Sequence, residues 1–282
     1  VLDPTSDSGT LGDGLTNDTT PTINGGGATP GGLVNVYVDG QLAGTATADA
    51  NGNWSFTVPS GSPLADGAHS FTATQVDSAG NESTPSAPLN IVIDATAPGA
   101  PSITAFGVDS GVQGDNKTNA TDLNLSGTAA PGATVTIYDG ATLVGTVVAD
   151  AQGNWTLTST GALTANQTHS FTAKATDAAG NTSGASAPLA VEIDTTAPPQ
   201  AVINSVGPDN GASATDKITS APQLTVAGTA EANSTVNVYD NGVLIGTVTA
   251  NGSGAWSFTT AAGLADGAHR FSANATDAAG NR

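Results

Sequence analysis

The stretch VTIYDGATLVGTVVADAQGNWTLT at residues 135–158 decides the fold, because the chain contains two further copies of it. VNVYVDGQLAGTATADANGNWSFT at 34–57 and VNVYDNGVLIGTVTANGSGAWSFT at 236–259 match it, and successive copies begin 101 residues apart. All tryptophans of the chain occupy one position of this repeat: Trp54, Trp155 and Trp256. A fixed period of this length predicts a tandem array of similar domains.

The pattern within the repeat predicts β-strands. Val135 and Ile137 alternate with threonine, as in a half-buried antiparallel strand, and Asp139-Gly140 is a favoured hairpin turn. No stretch has the period of a helix. In the second repeat we expect seven strands: A at 101–106, B at 122–128, C at 134–138, C′ at 142–149, E at 154–159, F at 168–176 and G at 188–194. The prediction is an all-β array of three seven-stranded sandwiches, end to end.

The domain boundaries are predicted from IVIDATAP at 91–98 and VEIDTTAP at 191–198. Proline fixes φ and lacks a backbone donor, so each boundary should be a short, stiff hinge. The predicted domains are 1–96, 97–196 and 197–282. The first is expected to lack the start of strand A and the third to lack strand G, strands that neighbouring residues or another chain would supply.

The charge balance excludes some partners. Against 24 acidic residues stand 5 basic ones, and the net charge is −19. Such a field repels nucleic acid and anionic membranes and attracts cations. The chain has no cysteine for a thiol active site, and no apolar run approaches the roughly 20 residues of a membrane helix. Neither nucleic-acid binding nor membrane insertion is expected.

Several repeated sequence motifs carry a family resemblance: DSGTLGDGLTNDTTPT at 7–22, DSGVQGDNKTN at 109–119, HSFTAKATDAAGN at 169–181 and DTTAP at 194–198. They resemble the bacterial Ig-like repeat domains of giant, type I-secreted Gram-negative surface adhesins, of the biofilm-associated and non-fimbrial types. The resemblance implies Ig-like sandwiches, secretion to the bacterial cell surface, a part in adhesion, biofilm formation and virulence, and Ca²⁺ held at the interdomain junctions.

The direction of the predicted strands also indicates which loops meet at the interdomain junctions. The A–B loop and the end of strand G should lie at the far pole of their own domain, facing the C′–E turn, B–C loop and F–G loop of the next. Short aspartate carboxylates suit Ca²⁺, which takes 6–8 oxygen ligands. The candidate ligands are Asp7, Asp13 and Asp94 with Asp150, Asn154 and Asp177 at the first junction, and Asp109, Asp115 and Asp194 with Asn251 and Asp277 at the second. The alternative is that these aspartates only cap turns in solvated loops.

The histidines and tryptophans have simpler expected roles. His69, His169 and His269 lie 100 residues apart, so they cannot form one shared metal or catalytic site in a linear array. Packing or a cross-strand hydrogen bond is expected for each. The tryptophans are expected in the core or at a pole rather than stacked on a sugar.

The predicted function is that of an extracellular stalk: a monomeric, rod-like spacer of a large bacterial surface adhesin, stiffened by Ca²⁺ at its junctions. Its partners would be the neighbouring repeats, with a host-cell surface or biofilm matrix contacted through other regions. The alternative is a module that binds a glycan or host protein directly. No nucleophile elbow, phosphate loop or zinc motif is present, so no enzyme activity is expected within these residues.

Overall fold

The computed structural model describes residues 1–282, and all of its regular elements are β-strands. The first repeat contains β1 Leu15–Thr16, β2 Thr22–Gly25, β3 Leu33–Val38, β4 Gln41–Thr47, β5 Trp54–Thr57, β6 Gly67–Val76 and β7 Leu89–Ile93. The second contains β8 Ser102–Phe106, β9 Lys117–Thr118, β10 Leu125–Thr128, β11 Thr134–Asp139, β12 Thr142–Val148, β13 Asn154–Leu157, β14 Gln167–Thr176 and β15 Leu189–Ile193. The third contains β16 Val202–Gly207, β17 Thr225–Thr229, β18 Thr235–Asp240, β19 Val243–Thr249, β20 Ala255–Thr259 and β21 Phe271–Thr276.

The second repeat is a sandwich of two sheets, which confirms the predicted all-β class. One sheet has the order β13–β10–β8, and the other has the order β12–β11–β14–β15–β9. All seven predicted strands are present, with ends within three residues of those expected. An eighth strand, β9, was not predicted; it pairs in parallel with the end of β15.

The core follows from the alternation in the sequence. Val135 and Ile137 of β11 are fully buried, whereas the threonines beside them are not. Val191 of β15 and Phe171 of β14 are also fully buried and complete the same cluster. Burying each such side chain contributes roughly 1.5–3 kcal/mol, so one face of each sheet fixes the register of its strands.

The repeated tryptophans belong to the core, as expected. Trp155 and Trp256 are only 2% and 4% exposed, and Trp54 is half-buried. Each packs over a glycine: a Cβ at Gly127 would lie 2.6 Å from the Trp155 ring, and one at Gly228 would lie 2.7 Å from Trp256. Because the indole rings are enclosed in this way, those of the second and third repeats are not available for stacking on a sugar.

The first and third repeats share this plan with fewer paired strands. In the first, Leu2 makes a single antiparallel bridge to Ile23, where the second repeat has the β8–β10 ladder. In the third, the sheet of β19, β18 and β21 ends at β21, beside a cleft of about 820 Å³. No helix of a length and apolarity sufficient to cross a membrane is found.

Candidate functional site

The two interdomain junctions join some of the loops predicted to meet there. At the first, the Ser8 hydroxyl of the A–B loop donates to the Ala179 carbonyl of the next repeat at 2.5 Å. The side-chain Nδ2 of Asn181 donates back to the Asp94 carbonyl, just after β7, at 2.7 Å. The A–B loop and the end of strand G of one repeat therefore contact the F–G loop of the next, as strand direction requires.

The second junction repeats these bonds with equivalent residues. The Ser110 hydroxyl donates to the Ala279 carbonyl at 2.5 Å, and the side-chain Nδ2 of Asn281 donates to the Asp194 carbonyl at 2.8 Å. The Val112 amide adds a bond to the Ala278 carbonyl at 2.9 Å. The joint is therefore a repeated structural unit with a defined geometry.

A glycine in each A–B loop permits this approach. Gly9 and Gly111 adopt φ of +68° and +71°, a region that other residues enter at a cost. A Cβ at Gly9 would lie 2.0 Å from the Ala178 carbonyl oxygen, and one at Gly111 would lie 2.1 Å from that of Ala278. Both neighbours belong to the next repeat, so a side chain at either position would separate the domains.

The first aspartate of each A–B loop has one satisfied and one unsatisfied oxygen. Asp7 Oδ2 accepts a bond from the Gly12 amide at 2.6 Å, and Asp109 Oδ2 accepts one from the Gly114 amide at 2.6 Å. The Oδ1 atoms of Asp7 and Asp109 are buried and have no hydrogen-bond partner. An unpaired buried carboxylate oxygen is costly, and a hard cation is one group that satisfies it.

The other far-pole candidates mainly support turns. Asp13 and Asp115 are exposed and accept bonds from amides two residues ahead, at 2.8 Å and 2.9 Å. Asp94 and Asp194 do the same for Thr96 and Thr196, while their main-chain carbonyls accept the bonds across the junctions. Turn capping therefore accounts for part of the aspartate pattern.

The F–G aspartates position the asparagines that cross the junctions. Asp177 Oδ1 accepts from the Asn181 amide N–H at 2.8 Å and Oδ2 from its side chain at 3.0 Å. Asp277, only 6% exposed, holds Asn281 in the same way. Sequence reasoning missed both asparagines, although each is the last residue of the repeated motif that ends in Gly-Asn.

The C′–E turn residues form no hydrogen bond to the preceding repeat. Asp150 accepts bonds only within its own turn, from Gln152 and Asn154, and the Asn154 amide is the main cause that lowers its pKa. Asn251 does the same for Ser253 and Ala255. These three candidates are turn residues in this structure.

One acidic residue at the second junction was not predicted. Burial raises the pKa of Glu231, and the nearby carboxylates of Asp277 and Asp194 raise it further. Even so, no three acidic or histidine side chains converge closely enough to hold a metal by themselves. A cation at a junction would need main-chain carbonyls or water in addition to carboxylates.

Comparison with known families gives this repeat a name. The model of the bacterial Ig-like domain matches residues 1–95, 96–195 and 196–282. The chain belongs to the bacterial Ig-like domain family. Its three matched units correspond to the three sandwiches and to the period of the tryptophans.

Other relatives of this bacterial Ig-like array are more distant. It is 31% identical to exoglucanase B of Cellulomonas fimi over 251 residues, which are 87% of this chain and 21% of the relative. The chain thus spans about a fifth of the curated relative that it matches. One similar solved structure is described as giving insight into the host cell surface retention of a 1.5-MDa bacterial ice-binding adhesin. It is 23% identical to this chain, the match covers 99% of this chain and 92% of the other, and the TM-score is 0.38. Another, a Ca²⁺-stabilised adhesin of an Antarctic bacterium, has 23% identity, 96% and 73% coverage and a TM-score of 0.42.

Proposed function

We propose that this array is a spacer segment of a large adhesin displayed on a bacterial surface, and that Ca²⁺ at the interdomain junctions fixes its repeats in one orientation. The observation that carries the proposal is the repeated joint, in which two successive junctions use the same hydrogen bonds between the same loops. A flexible chain of independent domains does not require such a joint. A spacer that must hold its length does.

The donor chemistry at the joints supports Ca²⁺ as the cation. The buried, unpaired Oδ1 atoms of Asp7 and Asp109 are hard oxygen donors beside the joint-forming residues Ser8 and Ser110. Calcium accepts irregular sets of carboxylate, carbonyl and water oxygens, which suits a site that carboxylates alone do not complete. The proposed ligands are these carboxylates together with nearby main-chain carbonyls.

The mechanism is stabilisation by mass action. With a net charge of −19, docked repeats repel one another, and a cation bound only to the docked geometry stabilises it by RT ln(1 + [L]/Kd). Millimolar extracellular Ca²⁺ would stiffen the array after export by type I secretion, whereas low cytosolic Ca²⁺ would leave it flexible. The array would act as a monomeric rod that carries binding regions elsewhere in the protein toward a host cell or biofilm matrix.

Calcium titration calorimetry tests the ligand assignment. Asp7→Asn together with Asp109→Asn should weaken Ca²⁺ binding by roughly tenfold or more, because each change removes a charged ligand. The matched control is Asp49→Asn, which alters a turn carboxylate that bonds only to Asn51 and Asn53 of its own turn. The A–B aspartates are not calcium ligands if the double variant binds Ca²⁺ as tightly as the control and the parent do, or if the parent binds no Ca²⁺.

A second candidate is a spacer in a secreted polysaccharide hydrolase. It is favoured by the 31% identity to a fifth of exoglucanase B. In both cases the array itself is non-enzymatic and any other activity belongs to other domains. The two candidates differ in what the complete protein holds: an adhesin should bind cells or surfaces, and a hydrolase should release sugar from an insoluble polysaccharide.

A further inference from the structure

The interdomain linkers are tied to the E–F loop of the preceding repeat, between the strands equivalent to E and F. Asp66 Oδ1 accepts a bond from the Ala95 amide at 2.8 Å, and its Oδ2 accepts one from the Thr96 hydroxyl. In the second repeat, Asn166 Oδ1 accepts bonds from the amide of Thr195 at 2.8 Å and the hydroxyl of Thr196 at 3.1 Å. The first residues of each linker are therefore fixed by one side chain of this loop.

The same loop is fixed from its other side by a histidine. His69 Nδ1 lies 2.7 Å from Asp39 Oδ2 in the C–C′ turn, and its Nε2 lies 2.8 Å from the carbonyl oxygen of Ala65. Ala65 directly precedes Asp66 in the chain. The imidazole thus connects the C–C′ turn to the segment that holds the linker.

The second and third repeats contain the same connection. His169 bonds Asp139 at 2.6 Å and the Thr164 carbonyl at 2.8 Å, and His269 bonds Asp240 at 2.6 Å. Packing or a cross-strand hydrogen bond was expected for these histidines, and the hydrogen bond is present in every repeat. The aspartate is not at one alignment position: in the first repeat it follows Tyr37 by two residues, and in the others it directly follows the equivalent tyrosine. The arrangement in space recurs even where the local sequence shifts.

The geometry around His69 requires two ring protons. One ring nitrogen faces a carboxylate and the other faces a carbonyl, and both partners only accept hydrogen bonds. Only the imidazolium has an N–H at each nitrogen; a neutral ring directs one lone pair at an acceptor. Burial lowers the pKa of His69, but the bonds to Ala65 and Asp39 outweigh it and raise the pKa.

Few charged groups surround this ring. Asp39 touches it from the C–C′ turn, and Asp66 is the charged residue next to the bonded carbonyl in the E–F loop. On the neighbouring strand, His69 pairs with Ile91, which carries no charge. In the second repeat the equivalent strand carries Glu192, whose charge is paired with Lys117 at 2.7 Å.

We propose that His69 and His169 act as pH-sensitive latches, which hold the interdomain linkers through the E–F loop while doubly protonated and release them when the imidazole becomes neutral. The latch would modulate the joint stiffness on which the proposed spacer function rests, but it needs no metal. Because the folded pKa of His69 is raised, the stabilisation is complete below the unfolded value of about 6.5 and is lost as the pH rises through the folded pKa.

Distance measurement between two spin labels tests the latch at each joint. The chain has no cysteine, so labels can be attached to Thr45→Cys and Thr146→Cys across the first joint, and to Thr146→Cys and Thr247→Cys across the second. These threonines are exposed and occupy equivalent positions in three strands. With chelator present throughout, raising the pH from about 5.5 to 8.5 should increase the ratio of displaced to docked repeats roughly fivefold, the effect of losing one ordinary hydrogen bond.

Two variants distinguish the latch from other titrations. His69→Gln should remove the pH response of the first joint and leave that of the second. Asp66→Ala, a change at an exposed side chain, should broaden the first distance distribution at every pH without changing the unfolding temperature of the repeats. It also remains informative if His69→Gln is too unstable to measure.

The latch is overturned if the parent distances do not change with pH, if the first joint of His69→Gln still responds, or if Asp66→Ala leaves that joint unchanged. Adding Ca²⁺ separates this proposal from the previous one. If Ca²⁺ narrows the distances while pH has no effect, the calcium-stiffened spacer stands and the latch fails. If pH has the predicted effect and Ca²⁺ has none, the latch stands and the calcium joint fails.

Discussion

The substitution Gly111→Ala should open the second joint without unfolding either repeat. The new Cβ would lie 2.1 Å from the Ala278 carbonyl oxygen and 2.6 Å from the Gly280 nitrogen, both in the backbone of the next repeat. Neither atom can rotate away as a side chain would. The A–B loop and the F–G loop must therefore separate.

The matched control lies three residues away in the same loop. Gly114 has φ of +84°, close to the +71° of Gly111, but a Cβ there would meet nothing within 4 Å. Both alanine variants therefore carry a similar backbone strain, about 1 kcal/mol in the stability of the second repeat. Only Gly111→Ala adds a collision across the joint.

The cost at the joint can be worked from its bonds. Separating the loops breaks three hydrogen bonds, from Ser110 to Ala279, from Val112 to Ala278 and from Asn281 to Asp194. At about 1 kcal/mol each, the docked state loses about 3 kcal/mol, which changes the docking equilibrium by more than roughly a hundredfold. The displaced population should rise from a minor to a major one.

The assay is the label distance between Thr146→Cys and Thr247→Cys in millimolar Ca²⁺, with thermal unfolding measured alongside. Gly111→Ala should give a broad distribution, and Gly114→Ala should keep the narrow distribution of the parent. Both should unfold at similar temperatures. A narrow distribution for Gly111→Ala, or equal broadening in both variants, would refute the reasoning that this loop contact orients the repeats.

Three further predictions concern single repeats. Gly127→Ala should destabilise the second repeat by several kcal/mol in chemical unfolding, because its Cβ would overlap the Trp155 ring and a backbone carbonyl. The control Gly184→Ala, which has open space around it, should change the stability by under about 0.5 kcal/mol. Val191→Ala should cost about 2 kcal/mol, because it leaves a cavity at a fully buried site. Glu82 accepts three hydrogen bonds, of which the one from Thr74 has the largest effect, and together they lower its pKa to about 2. The stabilising effect of this carboxylate should therefore be lost as the pH falls toward 2. NMR titration should give a higher pKa for Glu82 in Tyr37→Phe, which removes one of the donors.

The sandwich could be predicted because its strands are repeated and long enough to show alternation. The stretch at 135–158 predicted the hairpin and its buried face. Strand direction predicted that the A–B loop and the end of strand G meet the F–G loop of the next repeat, but it also predicted a C′–E turn contact for which the structure has no hydrogen bond. The two-residue strand Lys117–Thr118 escaped prediction, because two residues contain no period and its parallel partner, Ile193 among others, lies more than 70 residues away.

The joint itself was only partly readable from sequence. Aspartate serves equally as a turn cap and as a cation ligand, so residue type could not separate Asp150, which bonds only within its turn, from Asp7, whose Oδ1 is buried and unpaired. Asn181 and Asn281 were missed because the motif that contains them also has the composition of an ordinary turn. Their role depends on a contact between domains, which no pattern within one repeat encodes.

The most direct test of the calcium-stiffened joint is small-angle scattering of the three repeats in millimolar Ca²⁺ and again in excess chelator. The account predicts a straight rod with Ca²⁺, with a maximum dimension on the order of 120 Å for three sandwiches placed end to end. Chelator should give a shorter, heterogeneous ensemble, and Asp7→Asn with Asp109→Asn should resemble it in both buffers. Identical profiles with and without Ca²⁺ would contradict the account and leave the hydrogen bonds and proline linkers as the source of any stiffness.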